Sequence, residues 1–331
     1  MPCSSVPYAV ARVKVLESKM INKDQLNRMI EAPNAEGAFK TLIDAGYGGA
    51  GAEKPWEFEK MIANEMNDVR ALVLSISPNE ALSDVFIMKY DYQNAKASLK
   101  MRMSSMDVQD AISGAGKLDE EELKEMVYEQ DTIGLPDHLA RAIDATEQKL
   151  AVNPSPQVAD LSMDRAYMQW ALDVSKREKN EFVLDYFTAR VDLSNILAML
   201  RVRFMDADVD LLKVSLLDGG SIPTEVIMDA YSQSDEAIPQ KFSRTKYGSH
   251  LTTAIEQSLY EKKTWLYQKY MDNTLVDLCK EQKDRIFSLE PVIGYFLGKE
   301  SEARAIRMVM TGKLNNLGED VIRERLRELY V

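Results

Sequence analysis

The residues best suited to chemistry are few, and their spacing points away from catalysis. His138 and His250 are the only histidines in the 331-residue chain, and each is followed by a leucine. A catalytic triad or a metal site built on either would need partners that the spacing does not supply, so both read as ordinary loop or surface residues. Cys3 and Cys279 give no framework for disulfides or a zinc cage, and such usage suits a reducing cytoplasm. The run Asp119-Glu-Glu-Glu122 offers carboxylates for metal binding or general acid work. It falls in the first turn of a predicted helix, where the helix dipole accounts for it. Gly46-Tyr-Gly-Gly-Ala-Gly51 satisfies G-x-G-x-x-G, which would seat a pyrophosphate on a helix N-terminus. That mechanism needs a β-strand before the glycines, whereas residues 38 to 45 read as an amphipathic helix, so the stretch reads as a flexible helix–helix loop. The eighteen methionines sit mostly at helical core spacing and read as core filling. We expect no catalytic residue, no cofactor, no metal and no direct small-molecule substrate.

The feature that repeats is a cationic stretch. Its middle copy is Arg190-Val-Asp-Leu-Ser-Asn-Ile-Leu-Ala-Met-Leu-Arg-Val-Arg-Phe-Met205, and an earlier copy is Lys89-Tyr-Asp-Tyr-Gln-Asn-Ala-Lys-Ala-Ser-Leu-Lys-Met-Arg-Met103. Asp91 and Asp192, Asn94 and Asn195, Leu99 and Leu200, and Arg102 and Arg203 are all 101 positions apart. A weaker copy runs from Lys299 to Lys313; read 109 positions beyond the middle one, it matches Lys299 to Arg190 and Val309 to Leu200. Lys89, Arg190 and Lys299 thus share one position, and Arg102 and Arg203 another. Two readings stand side by side for these five residues. They are the solvated outer face of helices, or they form a ring of positive charge around a common axis. Exposed ion pairs contribute only ~0.2–1 kcal/mol each, so such a ring would set register and choice of partner more than affinity.

Helices must position these residues. Apolar residues at helical spacing place Leu193, Ile196, Leu197, Leu200 and Phe204 on one face, and no run alternates as a half-buried strand should. The chain is predicted to be all-α. Asn22 or Asp24 caps an early helix, Gly46 ends another, and Pro55 starts a long one that Pro78 closes. A turn and an acidic-capped helix recur at Leu118 and Ile222, offset by 104, and again at Leu317-Gly-Glu-Asp-Val-Ile322; Ile21 sits 97 before Leu118 in the same pattern. We expect three helical units, residues 1–113, 114–217 and 218–331, packed compactly in a pseudo-threefold arrangement because each leaves an apolar face unsatisfied.

Length and charge bound the rest. A chain of this size buries about three-quarters of its unfolded surface. The net charge of −12 argues against sequence-independent nucleic-acid binding, so no nucleic-acid partner is expected. Apolar runs fall far short of the ~20 residues that cross a bilayer, and the N-terminus lacks the pattern of a signal peptide.

The segment Tyr8-x-x-x-Arg-Val-Lys-x-Leu-Glu-Ser-Lys19, the Gly46-Tyr-Gly48 turn and the cationic Asp/Asn stretches resemble the C subunit of V-type (archaeal/bacterial A/V-type) ATPases, the counterpart of the d subunit in the eukaryotic V-ATPase. The most specific part is the tail Glu290-Pro-Val-Ile-Gly-Tyr-Phe-Leu-Gly-Lys-Glu-Ser-Glu-Ala-Arg-Ala-Ile-Arg307, with Gly312-Lys-Leu and Val321-Ile-Arg-Glu-Arg-Leu326 after it. The similarity covers essentially the whole chain, with a longer glycine loop at Gly48 to Gly51 as its departure. It implies a funnel of three similar helical domains around a central cavity, on the cytoplasmic face of a membrane rotor ring. It further implies a non-catalytic coupling part that receives the central-stalk D–F shaft and passes torque to the proteolipid ring for proton or sodium transport. The alternative is a soluble all-α scaffold that binds another protein or peptide.

Overall fold

The computed structural model describes residues 5–47, 51–104 and 112–331. Cys3 and residues 48–50 of the glycine loop lie outside the described residues. Among the described residues there are helices and turns and no strand, so the all-α expectation holds. The helices run α1 (Val6–Glu17), α2 (Lys23–Glu31), α3 (Ala35–Asp44), α4 (Phe58–Ile76), α5 (Glu80–Ile87) and α6 (Lys89–Ser104). Next come α7 (Glu120–Glu129), α8 (Asp137–Val152), α9 (Pro156–Arg177), α10 (Glu181–Phe204), α11 (Val209–Ser215) and α12 (Thr224–Tyr231). The last are α13 (Ile238–Lys241), α14 (Gly248–Glu261), α15 (Thr264–Lys280), α16 (Glu290–Leu314) and α17 (Glu319–Arg325). No helix among the described residues is long and apolar enough to cross a membrane.

The ends of these helices follow from their residues. Asn22 caps α2 in a reciprocal box: its side chain accepts from Gln25 N, and the Gln25 side chain accepts from Asn22 N. Asp119 caps α7 by accepting from the amides of Glu121 and Glu122, so the acidic run lies where the helix dipole favours it. α10 and α16 end alike. Asp206 and Asn316, 110 positions apart, both take the left-handed conformation, with Ala207 N donating to Val202 O and Leu317 N to Gly312 O.

The chain forms two compact units, one made of residues up to Ser83 together with Asp272–Val331, the other of Asp84–Met271. In the first, α16 is the axle: it packs against α1, α2, α3, α4 and α17, and its N-terminal half is buried on every side. In the second, α9 packs against both α6 and α10, α7 lies on α6, and α11 and α12 lie on α10. Methionines fill cores as expected, with Met29, Met163, Met199 and Met310 fully excluded from solvent.

His138 departs from the loop or surface residue expected. It sits in the first turn of α8, half-buried, its ring stacked 3.9 Å from Trp170 and its Nδ1 3.1 Å from the Tyr92 hydroxyl. Its neighbours come from α6 and α9, distant in sequence, so local spacing could not reveal them. His250 is exposed, as expected. Burial, and then the nearby Arg141, push the His138 pKa down to about 4. An unfolded chain takes up the proton near pH 6.5 while the folded chain resists it, so the stability of this unit falls as pH drops from 6.5 through 4. After allowance for solvent screening the effect is about 1 kcal/mol, or ~2–4 °C in Tm. His138→Phe should flatten the loss of Tm between pH 6.5 and 4 by that amount, measured by thermal denaturation; an unchanged pH profile would contradict it.

Candidate functional site: three clamps on the long helices

The repeated polar residues do one job three times. On α6, the buried Asp91 carboxylate accepts from Lys117 N at 2.8 Å and Leu118 N at 2.9 Å, fixing the chain where it enters α7. On α10, buried Asp192 accepts from Ile222 N at 2.8 Å, from Ser221 Oγ at 2.5 Å and from the Tyr247 hydroxyl at 2.8 Å, just before α12. The turn must come close to the acid. A Cβ at Gly116 would overlap Asp91 Oδ1, and one at Gly220 would overlap Asp192 Oδ1. One helical turn further on, Asn94 and Asn195 zip the incoming loop. Asn94 pairs with both backbone groups of Ser113 at 2.8 and 2.9 Å, and Asn195 pairs with those of Leu217 at 2.8 and 2.7 Å.

Arg102 and Arg203 complete the clamps at the other end of each short helix. Arg102 donates to Val127 O and pairs with Glu147, while Arg203 donates to Tyr231 O at 2.8 Å and pairs with Asp235. Acid and base are eleven residues apart in each copy, about three turns on one helix face. The short helix therefore runs parallel to its long helix, with a carboxylate at its N-terminal end and a cation at its C-terminal end. That is the arrangement its dipole favours, by roughly 0.3–1 kcal/mol at each end.

The third clamp lies in α16 and closes on the beginning of the chain. Glu302, 1% exposed, accepts from Ile21 N at 2.7 Å, just before α2, and Lys313, eleven residues on, donates to Ala32 O at 2.6 Å at the end of α2. Its register is offset by 110 from α10, one residue beyond that expected from sequence. Lys299 therefore takes the place of buried Ala189 and Met88 and not that of Arg190. It is 4% exposed, its ammonium 2.7 Å from Glu65 and 2.6 Å from Glu302, beneath the ring of Tyr47. The Tyr47 hydroxyl also donates to Glu302; burial, and then the Glu302 charge, keep this phenol protonated and a donor. By the same register α17 corresponds to α11, not to α12 as the Leu317 turn suggested. The short helix that α16 clamps is α2, so one module is built from both ends of the chain.

Of the five cations singled out in the sequence, the structure sets Arg102 and Arg203 on helix C-terminal carbonyls and buries Lys299 among carboxylates. Lys89 is half-buried with its ammonium 5.0 Å from the Tyr90 ring centroid, and Arg190 is half-buried on α10. Sequence reasoning missed Glu302 and Lys313 as a pair, and gave no role to Asp91 and Asp192. The eleven-residue interval between acid and base, identical in all three copies, was the available signal. The glycine loop follows helix α3 and not a strand, and Gly46 takes a positive φ of 98° as a helix stop. Lys19, Asn22, Asp44, Tyr47, Glu65, Tyr295 and Lys299 line an open cleft beside it.

The clamps make a direct prediction. Asp192→Ala leaves the Ile222 amide unsatisfied and should cost about 2–4 kcal/mol, whereas Asp192→Asn, which keeps one acceptor oxygen, should cost distinctly less. Denaturant titrations of the two variants check this, and equal losses would contradict it.

Comparison with known proteins joins this arrangement to a family. The chain is 25% identical to the A-type ATP synthase C subunit of Methanocaldococcus jannaschii, over 98% of this chain and 87% of the relative. It is 20% identical to the V-type sodium ATPase C subunit of Enterococcus hirae, over 95% of each chain. With the A-type ATP synthase C subunit of Haloquadratum walsbyi it shares 23% identity over 97% of this chain and 98% of the relative. Residues 9–325 match the family described as ATP synthase (C/AC39) subunit, and the chain belongs to that family.

Proposed function

We propose that this chain is the central-stalk connector of a rotary A/V-type ATPase, a non-catalytic socket between the D–F shaft and the membrane proteolipid ring. The observation that carries the reading is the module clamped three times, in a chain that belongs to the ATP synthase C/AC39 family over residues 9–325. The repeated polar side chains hold helices to helices, which suits a part whose work is to keep its shape under load. Long helices free of internal proline, α10 above all, add stiffness. The three units, residues 1–113, 114–217 and 218–331, form a pseudo-threefold funnel in this proposal. Its cavity accepts the foot of the shaft, and the whole sits on the cytoplasmic face of the ring as a peripheral component. Torque crosses it in step with proton or sodium transport, and ATP chemistry belongs to other subunits.

Lys89, Arg102, Arg190, Arg203 and Lys299 remain the proposed determinants of assembly. Arg102, Arg203 and Lys299 act in it by holding helices in place, and Lys89 and Arg190 act by direct contact. Purified chain mixed with the D–F pair, and separately with ring-containing membranes, should bind both saturably; a chain that recognises neither is a generic scaffold and ends the proposal. Charge reversal of Lys89 and Arg190 together should weaken that binding by at least about ten-fold with circular dichroism unchanged. Normal assembly of the double reversal would remove the direct-contact role.

A further inference from the structure

The last six residues carry contacts unlike those of a frayed terminus. Leu329 and Tyr330 are 4% and 2% exposed. The Tyr330 ring lies on α16 where Gly294 and Gly298 leave it room: a Cβ at Gly298 would stand 2.6 Å from the ring, and one at Gly294 2.7 Å from the hydroxyl. That hydroxyl donates to Glu17 of α1 at 3.1 Å, and burial, then the Glu17 charge, keep it a donor. Lys283 stands over the ring at 4.4 Å and donates to Tyr330 O at 3.2 Å. Further back, Glu328 O accepts from Ser301 Oγ on α16, Glu328 N donates to Asn273 at 2.9 Å, and Arg327 pairs with Asp272 at 3.0 Å. Asp272 and Asn273 lie in α15, where the chain passes from one compact unit into the other.

In the 110-residue register, residues 326–331 correspond to residues 216–221, which run on covalently into Ile222 and its clamp. In the module made from the chain ends there is no peptide bond to do this, since Ile21 arrives from the other terminus. We propose that residues 326–331 are a strap, a peptide ligand carried by the chain itself, recognised through Tyr330. The groove on α16 is its binding site, and the strap fastens α1 and the 272–280 part of α15 onto α16. Glycine at 298 serves this seat, because within a helix alanine is otherwise favoured by roughly 1 kcal/mol.

Full-length variants test this by hydrogen exchange, with α9 and α10 as internal reference. Tyr330→Ala and Gly298→Ala should each speed exchange in α1 and residues 272–280 by about ten-fold or more while leaving the reference unchanged. The double variant should be no worse than Tyr330→Ala alone, because removing the ring makes room for the new methyl. Tyr330→Phe should loosen α1 only. A synthetic peptide of residues 326–331 should restore protection to a chain ending at Arg325, and the same peptide with alanine for its tyrosine should not. Unchanged exchange in Tyr330→Ala, or additive losses in the double variant, would overturn the proposal. The full-length variants decide it alone if the shortened chain does not fold. The mechanical consequence rests on the connector reading: in a reconstituted rotary complex, Tyr330→Ala should keep assembly yet lower ions moved per ATP. Unchanged coupling would remove that consequence, while failure of the unaltered chain to bind shaft and ring would sink the connector reading and leave the exchange result standing.

Discussion

A carboxylate buried on a long helix, accepting the backbone amide at the start of a short one, is the contact on which the architecture turns. Asp91, Asp192 and Glu302 are each at most 1% exposed. A buried carboxylate without partners costs several kcal/mol, so each of these positions is stable only when the chain delivers N–H groups to it. The acid therefore specifies where the turn must come. Glycine at 116 and 220 lets the backbone come that close, and the asparagine one turn along aligns the loop leading in. The basic residue eleven positions on then fixes the far end of the same short helix. Apolar burial supplies most of the stability, but it is non-directional; the clamp sets direction and register.

The same clamp is harder to close in the module made from the chain ends. Leu118 lies 27 residues from Asp91 and Ile222 lies 30 from Asp192, whereas Ile21 lies 281 from Glu302. Loop-closure entropy grows only with the logarithm of length, so the longer span costs roughly 2 kcal/mol more. Further polar contacts gather there. Lys299, Glu65 and Tyr47 converge on Glu302, Arg323 of α17 reaches Asn27 of α2, and Arg307 pairs with Glu59 of α4. The exposed pair contributes little, while the buried group around Lys299 holds its geometry because breaking it would strand a charge.

This use of charge bears on function. The net charge is strongly acidic, yet Arg102, Arg203 and Lys299, three of the five cations that recur in the sequence, are engaged with helix ends and internal carboxylates. A part that carries load needs its helices to resist sliding. Directional contacts at both ends of each short helix oppose sliding in a way that greasy packing alone does not. The connector proposed above draws on that property.

Much of this was written in the sequence. Helical periodicity, the absence of alternating runs and the 101- and 104-residue offsets determined an all-α fold with recurring modules, because those patterns are local and need no knowledge of what packs where. The acidic run before Leu123 declared itself a helix start for the same reason. Tertiary structure decided the rest. Whether Lys299 faced water or carboxylates depended on one residue of register, and that register shows only when Glu302 meets Ile21 and Lys313 meets Ala32. His138 passed for a loop residue until α6 and α9 brought Tyr92 and Trp170 against it. That α16 completes its module with α2 and not with α17 could be seen only in three dimensions. Periodicity reports which face of a helix is apolar, but the partner of that face is chosen by packing among segments hundreds of residues apart.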